Sequence, residues 1–233
     1  MKRTLPAASV GHLMPACVYG FFYLLWFDYL ESEPQKDYLI LGNSLDDAIP
    51  FIEVFVIPYL SWFVFMLGLG LWLNFSDREA FDRMITMCMI GMTFFLLVST
   101  FVPTALNLRP GYIGRDNIFV RMCLDLWEVD TPTNVWPSIH VYNTAVIISA
   151  VIRSDRWQTM RNRSRGFLIT WAALIILSTV FIKQHSMLDV LAGGILALVV
   201  NYLTYEEGLV LRWKRWDAYL ERRALKRRER ELM

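Results

Sequence analysis

The chain has 233 residues, 55% of them apolar and 19% charged, with a formal net charge of +1. A membrane span takes about 20 consecutive apolar residues, so the apolar content suffices for six. Together with the low share of charge, this excludes a disordered chain, a disulfide scaffold and a small soluble enzyme.

Hydropathy places six spans in chain order, at residues 12–30, 50–73, 83–102, 138–152, 166–182 and 188–205. The fourth is short, and the fifth ends on polar residues. The expected fold class is all-α. Residues 1–205 form a polytopic membrane protein of six transmembrane helices, and residues 206–233 a basic amphipathic tail with a cytoplasmic interfacial C-terminal helix. Lys2 and Arg3 precede the first apolar stretch, but that stretch runs on to spanning length, unlike a cleaved signal peptide. Cys17, Cys88 and Cys123 have neither disulfide nor metal-ligand spacing.

Loop charges set the orientation. The first loop opposes Lys36 with Glu31, Glu33, Asp37, Asp46 and Asp47, whereas the loop after span four carries Arg153, Arg156, Arg161, Arg163 and Arg165 against Asp155. The positive-inside rule puts both termini and the Arg-rich loop in the cytoplasm. The long third loop and the turn around His185 then lie outside. In the tail, Leu209, Trp213, Trp216 and Leu220 share one helical face amid Arg212, Lys214, Arg215, Arg222 and Arg223. That pattern predicts a helix lying on anionic lipid; a solvated basic tail is the plainer alternative.

Chemistry concentrates at the outer surface. His12 reads as structural. Pro137-Ser138 before the fourth span is a helix-start signal. Ser138 would sit near the N-cap, and the unpaired N–H groups behind it, at the positive end of the helix dipole, would suit an anion. His140 follows two residues after Ser138. Between spans five and six, Lys183, His185 and Asp189 sit at the mouth of an apolar hairpin, where charges are costly unless paired or used. His185 and Asp189, four apart, would share a helical face, and the carboxylate would fix the imidazole tautomer. Arg109-Pro110 opens the same outer region. Three separate stretches thus bring two imidazoles and cations to one side, a pattern for binding phosphate.

These motifs resemble the type 2 phosphatidic acid phosphatase (lipid phosphate phosphatase) superfamily over roughly residues 103–198. The family pattern is K-x-x-x-x-x-x-R-P, then P-S-G-H, then S-R-x-x-x-x-x-H-x-x-x-D. Here it reads Arg109-Pro110, then Pro137-Ser138-Ile139-His140, then Ser178-Thr179 with His185 and Asp189 at the family spacing. Val102 stands where the pattern has Lys, Ile139 where it has Gly, and Thr179 where it has Arg. Lys183, four residues after Thr179, would lie one turn along the same helical face and replace the lost Arg charge. Arg115 is a weaker candidate for replacing the lost Lys.

The resemblance implies a metal-independent hydrolase acting on a membrane lipid phosphomonoester or diphosphate. His185 would be the nucleophile, Asp189 its orienting partner and His140 the acid and base. Arg109, Ser138, Lys183 and Thr179 would bind the substrate phosphate. It implies no cofactor, no metal and no nucleic-acid partner; compact size and the lack of sorting signals suggest a bacterial plasma membrane. A lipid phosphotransferase on the same fold, like inositol phosphorylceramide synthase or sphingomyelin synthase, is the runner-up. A catalytically silent lipid-phosphate binder is a third reading.

Overall fold

The computed structural model describes residues 13–32 and 37–206. Lys2, Arg3, His12 and the tail face of Leu209, Trp213, Trp216 and Leu220 lie outside the described residues. In chain order the elements are α1 (Met14–Ser32), β1 (Leu39–Leu41), α2 (Ser44–Ala48), α3 (Val56–Ser76) and α4 (Arg78–Phe101). There follow β2 (Thr104–Leu106), α5 (Ile118–Val129), α6 (Ile139–Arg153), α7 (Asn162–Phe181) and α8 (Met187–Tyr205). Four segments, Glu53–Ser76, Arg78–Phe101, Asn162–Phe181 and Met187–Tyr205, are long and apolar enough to cross a membrane, so the chain is an integral membrane protein. They correspond to the second, third, fifth and sixth spans expected from sequence.

Helix ends follow local chemistry. α4 starts at Arg78 rather than residue 83 because Asp77 caps it, accepting from the Ala80 N–H at 3.1 Å. α3 starts later than residue 50 because a 3₁₀ turn, Glu53–Phe55, intervenes, and the Ile52 N–H before it donates to the Phe181 carbonyl at 3.0 Å. α6 has 15 residues and extends only about 22 Å, short of the ~30 Å hydrocarbon core. It packs against α3, α4, α7 and α8, and Val146, Ile147, Ala150 and Val151 are fully buried. α4 crosses it closely at Gly91, where a Cβ would lie 2.0 Å from the Tyr142 ring. α1, the first expected span, runs alongside α4, with Tyr19 Oη donating to the Met89 carbonyl at 3.0 Å and Trp26 Nε1 to Thr100 Oγ1 at 3.2 Å.

The all-α expectation misses one small element. β1 and β2 pair in parallel, Leu39 opposite Thr104 through Leu41 opposite Leu106. The long third loop also contains α5, whose Phe119, Met122, Cys123, Leu126 and Trp127 pack on Val56, Tyr59 and Ile182. Those positions recur at i, i+3, i+4, i+7 and i+8, one face of a helix, and Asn117 caps its start. These short elements gather at the end of the bundle where α3, α6 and α8 begin.

Candidate active site

The helix start expected at Ser138 is where α6 begins. Ser138 is its N-cap, with Oγ accepting from the Val141 N–H at 3.4 Å. The Ser138 N–H itself donates to the Asp189 carbonyl at 3.2 Å. That contact joins the starts of α6 and α8, and Gly193 permits it: a Cβ there would fall 2.5 Å from the Ser138 carbonyl oxygen. Two helix N-termini therefore lie side by side. As first-turn groups of α6, the Ile139 and His140 N–H groups have no acceptor within the helix.

His140 is buried between two α3 rings, its centroid 4.6 Å from Tyr59 and 4.5 Å from Trp62. The His185 ring is 5.7 Å away. His185 Nδ1 lies 3.4 Å from Asp189 Oδ2, and no aligned hydrogen bond closes that gap. A charge-assisted hydrogen bond would be ~2.7–2.9 Å, and catalytic contacts often tighten only when substrate is bound. The pair does meet, but not as the sequence argument supposed. His185 precedes the helix, Ser186 is the N-cap and Asp189 occupies its third position. Asp189 Oδ2 accepts from the Ser186 N–H at 2.8 Å, and Ser186 Oγ accepts from the Asp189 N–H at 3.2 Å. This capping box, rather than a shared helical face, turns the carboxylate back toward the imidazole.

The helical argument for Lys183 fails. α7 ends at Phe181, and Lys183 has φ +61°, in the left-handed region, because the chain reverses there. Its ammonium donates to the Asp46 carbonyl at 2.7 Å and the Ile49 carbonyl at 2.5 Å, at the end of α2. Burial lowers its pKa from the ordinary lysine range, with Asp46 and Asp47 opposing. Thr179 holds the turn through its backbone: its carbonyl accepts from the Gln184 N–H at 3.0 Å and the His185 N–H at 2.9 Å, while its hydroxyl donates to the Ile176 carbonyl at 2.8 Å.

Arg109 is similarly engaged. It donates to the Trp127 carbonyl at 2.9 Å, to the Asp130 carbonyl and to Gln184 Oε1 at 2.6 Å, and it stacks 5.4 Å from the Trp127 ring centroid. It thereby fixes the end of α5 to the His185 turn. Burial lowers its pKa, opposed by Asp130. Arg115 forms a two-pronged pair with Glu53, at 2.8 and 2.5 Å.

Four contributors escaped the sequence reading. Tyr59 and Trp62 flank His140; Tyr59 Oη donates to Asp130 Oδ2 at 2.5 Å. Gln184 bridges Arg109 and, at 3.3 Å, the Asp130 carbonyl. Asp46 is buried and accepts from the Met187 N–H at 2.7 Å. The only advance signal was Asn43 three residues before Asp46, a capping-box spacing confirmed at α2. Among the described residues, no group of three or more His, Cys, Asp or Glu is placed to hold a metal ion.

A family model described as PAP2 superfamily matches residues 90–208, half of the chain. No curated protein and no solved structure matches. The matched stretch contains Arg109, both imidazoles, Asp189 and the two helix starts that bring them together. The chain belongs to the PAP2 superfamily of phosphatases and related phosphotransferases.

Proposed function

We propose that the protein is a lipid phosphate phosphatase that works through a phosphohistidine. The observation that carries this is the pair of imidazoles 5.7 Å apart, one of them backed by a carboxylate at 3.4 Å. His185 attacks phosphorus through Nε2, forming a P–N bond as the bond to the lipid oxygen breaks. His140 gives its proton to that departing oxygen. It then takes a proton from water, which attacks phosphorus, breaks the P–N bond and releases phosphate. Asp189 holds His185 Nδ1. The open Ile139 and His140 N–H groups, with Arg109, receive the phosphoryl oxygens, since phosphoryl transfer depends mainly on positioning and charge stabilisation. This role requires Arg109, and Lys183 if it takes part, to exchange a carbonyl for phosphate.

The test is inorganic phosphate release by the purified protein on a panel of lipid phosphates and diphosphates, with chelator present. Release from one class, reduced at least ~10³-fold by His185→Ala, is expected. Unchanged release by His185→Ala would reject the nucleophile. Release restored only by added magnesium would reject the metal-independent route. Transfer to an added lipid alcohol without phosphate release would make the enzyme a phosphotransferase.

We further propose that α1, α3, α4, α6, α7 and α8 all cross the bilayer, with both termini on the Arg-rich cytoplasmic side and the imidazoles outside. Cys123 is fully buried and unsuited to labelling, whereas Tyr112 is 86% exposed near the imidazole end. A Tyr112→Cys variant should react with an impermeant maleimide only from outside the cell; reaction only from the cytoplasm would overturn this topology.

A further inference from the structure

At the end of the bundle away from the imidazoles, α3 and α7 leave an open, shallow groove of about 390 Å³ between them. Leu69, Trp72, Phe167 and Leu168 form its walls, and Arg163 and Ser164 its rim. The walls lie within two turns of the helix ends: Leu69 is seven residues before Ser76, and Leu168 six after Asn162, depths of about 10 Å. The groove therefore has an apolar trough at acyl-chain depth and a polar mouth at headgroup depth. Trp72 sits near the mouth, where aromatic belts occur.

The mouth is cationic. Of the arginines from the end of α6 into the start of α7, Arg153 donates to Ser149 Oγ, Arg156 to the Ser76 carbonyl, and Arg165 to the Trp157 and Gln158 carbonyls. Arg161 and Arg163 are exposed and make no such bond among the described residues. They stand at the start of α7, where Arg161 occupies the N-cap without a capping side-chain bond, so the N–H groups of Asn162, Arg163 and Ser164 lack intrahelical acceptors. Asp155 is the one acid in this loop.

We infer that this groove is a binding site for an anionic phospholipid of the leaflet opposite the imidazoles. One acyl chain fills the trough, and the phosphate meets the Arg163 guanidinium and the open end of α7. Charge complementarity selects the occupant: a zwitterionic lipid carries its own cation to the same mouth and gains less from Arg163. The inference is independent of the phosphatase reading, because the site shares no residue with it.

Trp72 supplies the probe. The full-length protein is placed in bilayers with acyl-brominated phosphatidylglycerol or acyl-brominated phosphatidylcholine, and the Trp72 signal is the fluorescence difference between wild type and Trp72→Phe. Brominated phosphatidylglycerol should quench that signal at about fivefold lower mole fraction, the effect of one arginine near an anionic headgroup. Arg163→Gln should abolish the preference and Arg163→Lys largely restore it. Equal quenching by both lipids, or a preference that survives Arg163→Gln, would overturn the inference. So would absence of quenching by either, which would mean that protein covers the groove.

Discussion

At the imidazole end, Arg109 and Lys183 are drawn inward and donate to main-chain carbonyls at the ends of α5 and α2. At the Arg-rich end, Arg161 and Arg163 are exposed, and three other arginines lie over rings. Arg83 and Arg153 sit 5.1 and 4.7 Å from the Tyr205 ring centroid, and Arg165 5.3 Å from that of Trp157. The difference separates two uses of a cation. Inside, a buried carbonyl left without a donor costs the full desolvation of that group, so Arg109 and Lys183 hold the short helices around the imidazoles. Outside, exposed arginines such as Arg161 and Arg163 keep their charged heads in water and are available to lipid.

Substitutions at the two ends should differ in scale accordingly. The largest effect after loss of His185 is expected from Gly193→Ala. Its methyl would push the Ser138 carbonyl, and with it His140, away from α8, and displacements near 1 Å cost about 10²-fold in rate. Turnover within a few-fold of wild type in a folded Gly193→Ala protein would mean that the joint between α6 and α8 does not set the imidazole spacing. Lys183→Ala and Glu79→Gln form a paired contrast. The first leaves the Asp46 and Ile49 carbonyls without their donor and should cost about 1–3 kcal/mol. The second removes one exposed i,i+4 pair, Glu79 with Arg83 at 2.5 Å, and should cost no more than about 0.3–0.5 kcal/mol. Thermal unfolding in detergent reads both, and equal losses would erase the contrast.

The long helices were legible because apolar runs of spanning length leave few alternatives for the backbone. The motif residues were legible by spacing: Ser138 at the N-cap, and His140, His185 and Asp189 together. Partnership was harder to see. Nothing in the neighbourhood of Lys183 announces that Asp46 and Ile49, more than 130 residues earlier, supply its acceptors. The helical-face argument assumed that α7 continued, whereas it stops at Phe181 and the chain reverses. α5 did carry a helical period, but at 12 residues it falls below any spanning criterion. Tyr59 and Trp62 looked like ordinary span aromatics; only the packing of α3 on α6 brings them to His140.

Asp189 both closes the cap of α8 and backs His185. Its carboxylate comes into place when the first turn of α8 forms, so the proposed nucleophile is oriented by the same event that starts the last described helix. A chain whose final hairpin has not yet inserted carries both imidazoles in its sequence but lacks the arrangement proposed to use them. Synthesis of the protein would then leave no interval in which a half-built chain could attack the phosphate esters of the membrane around it.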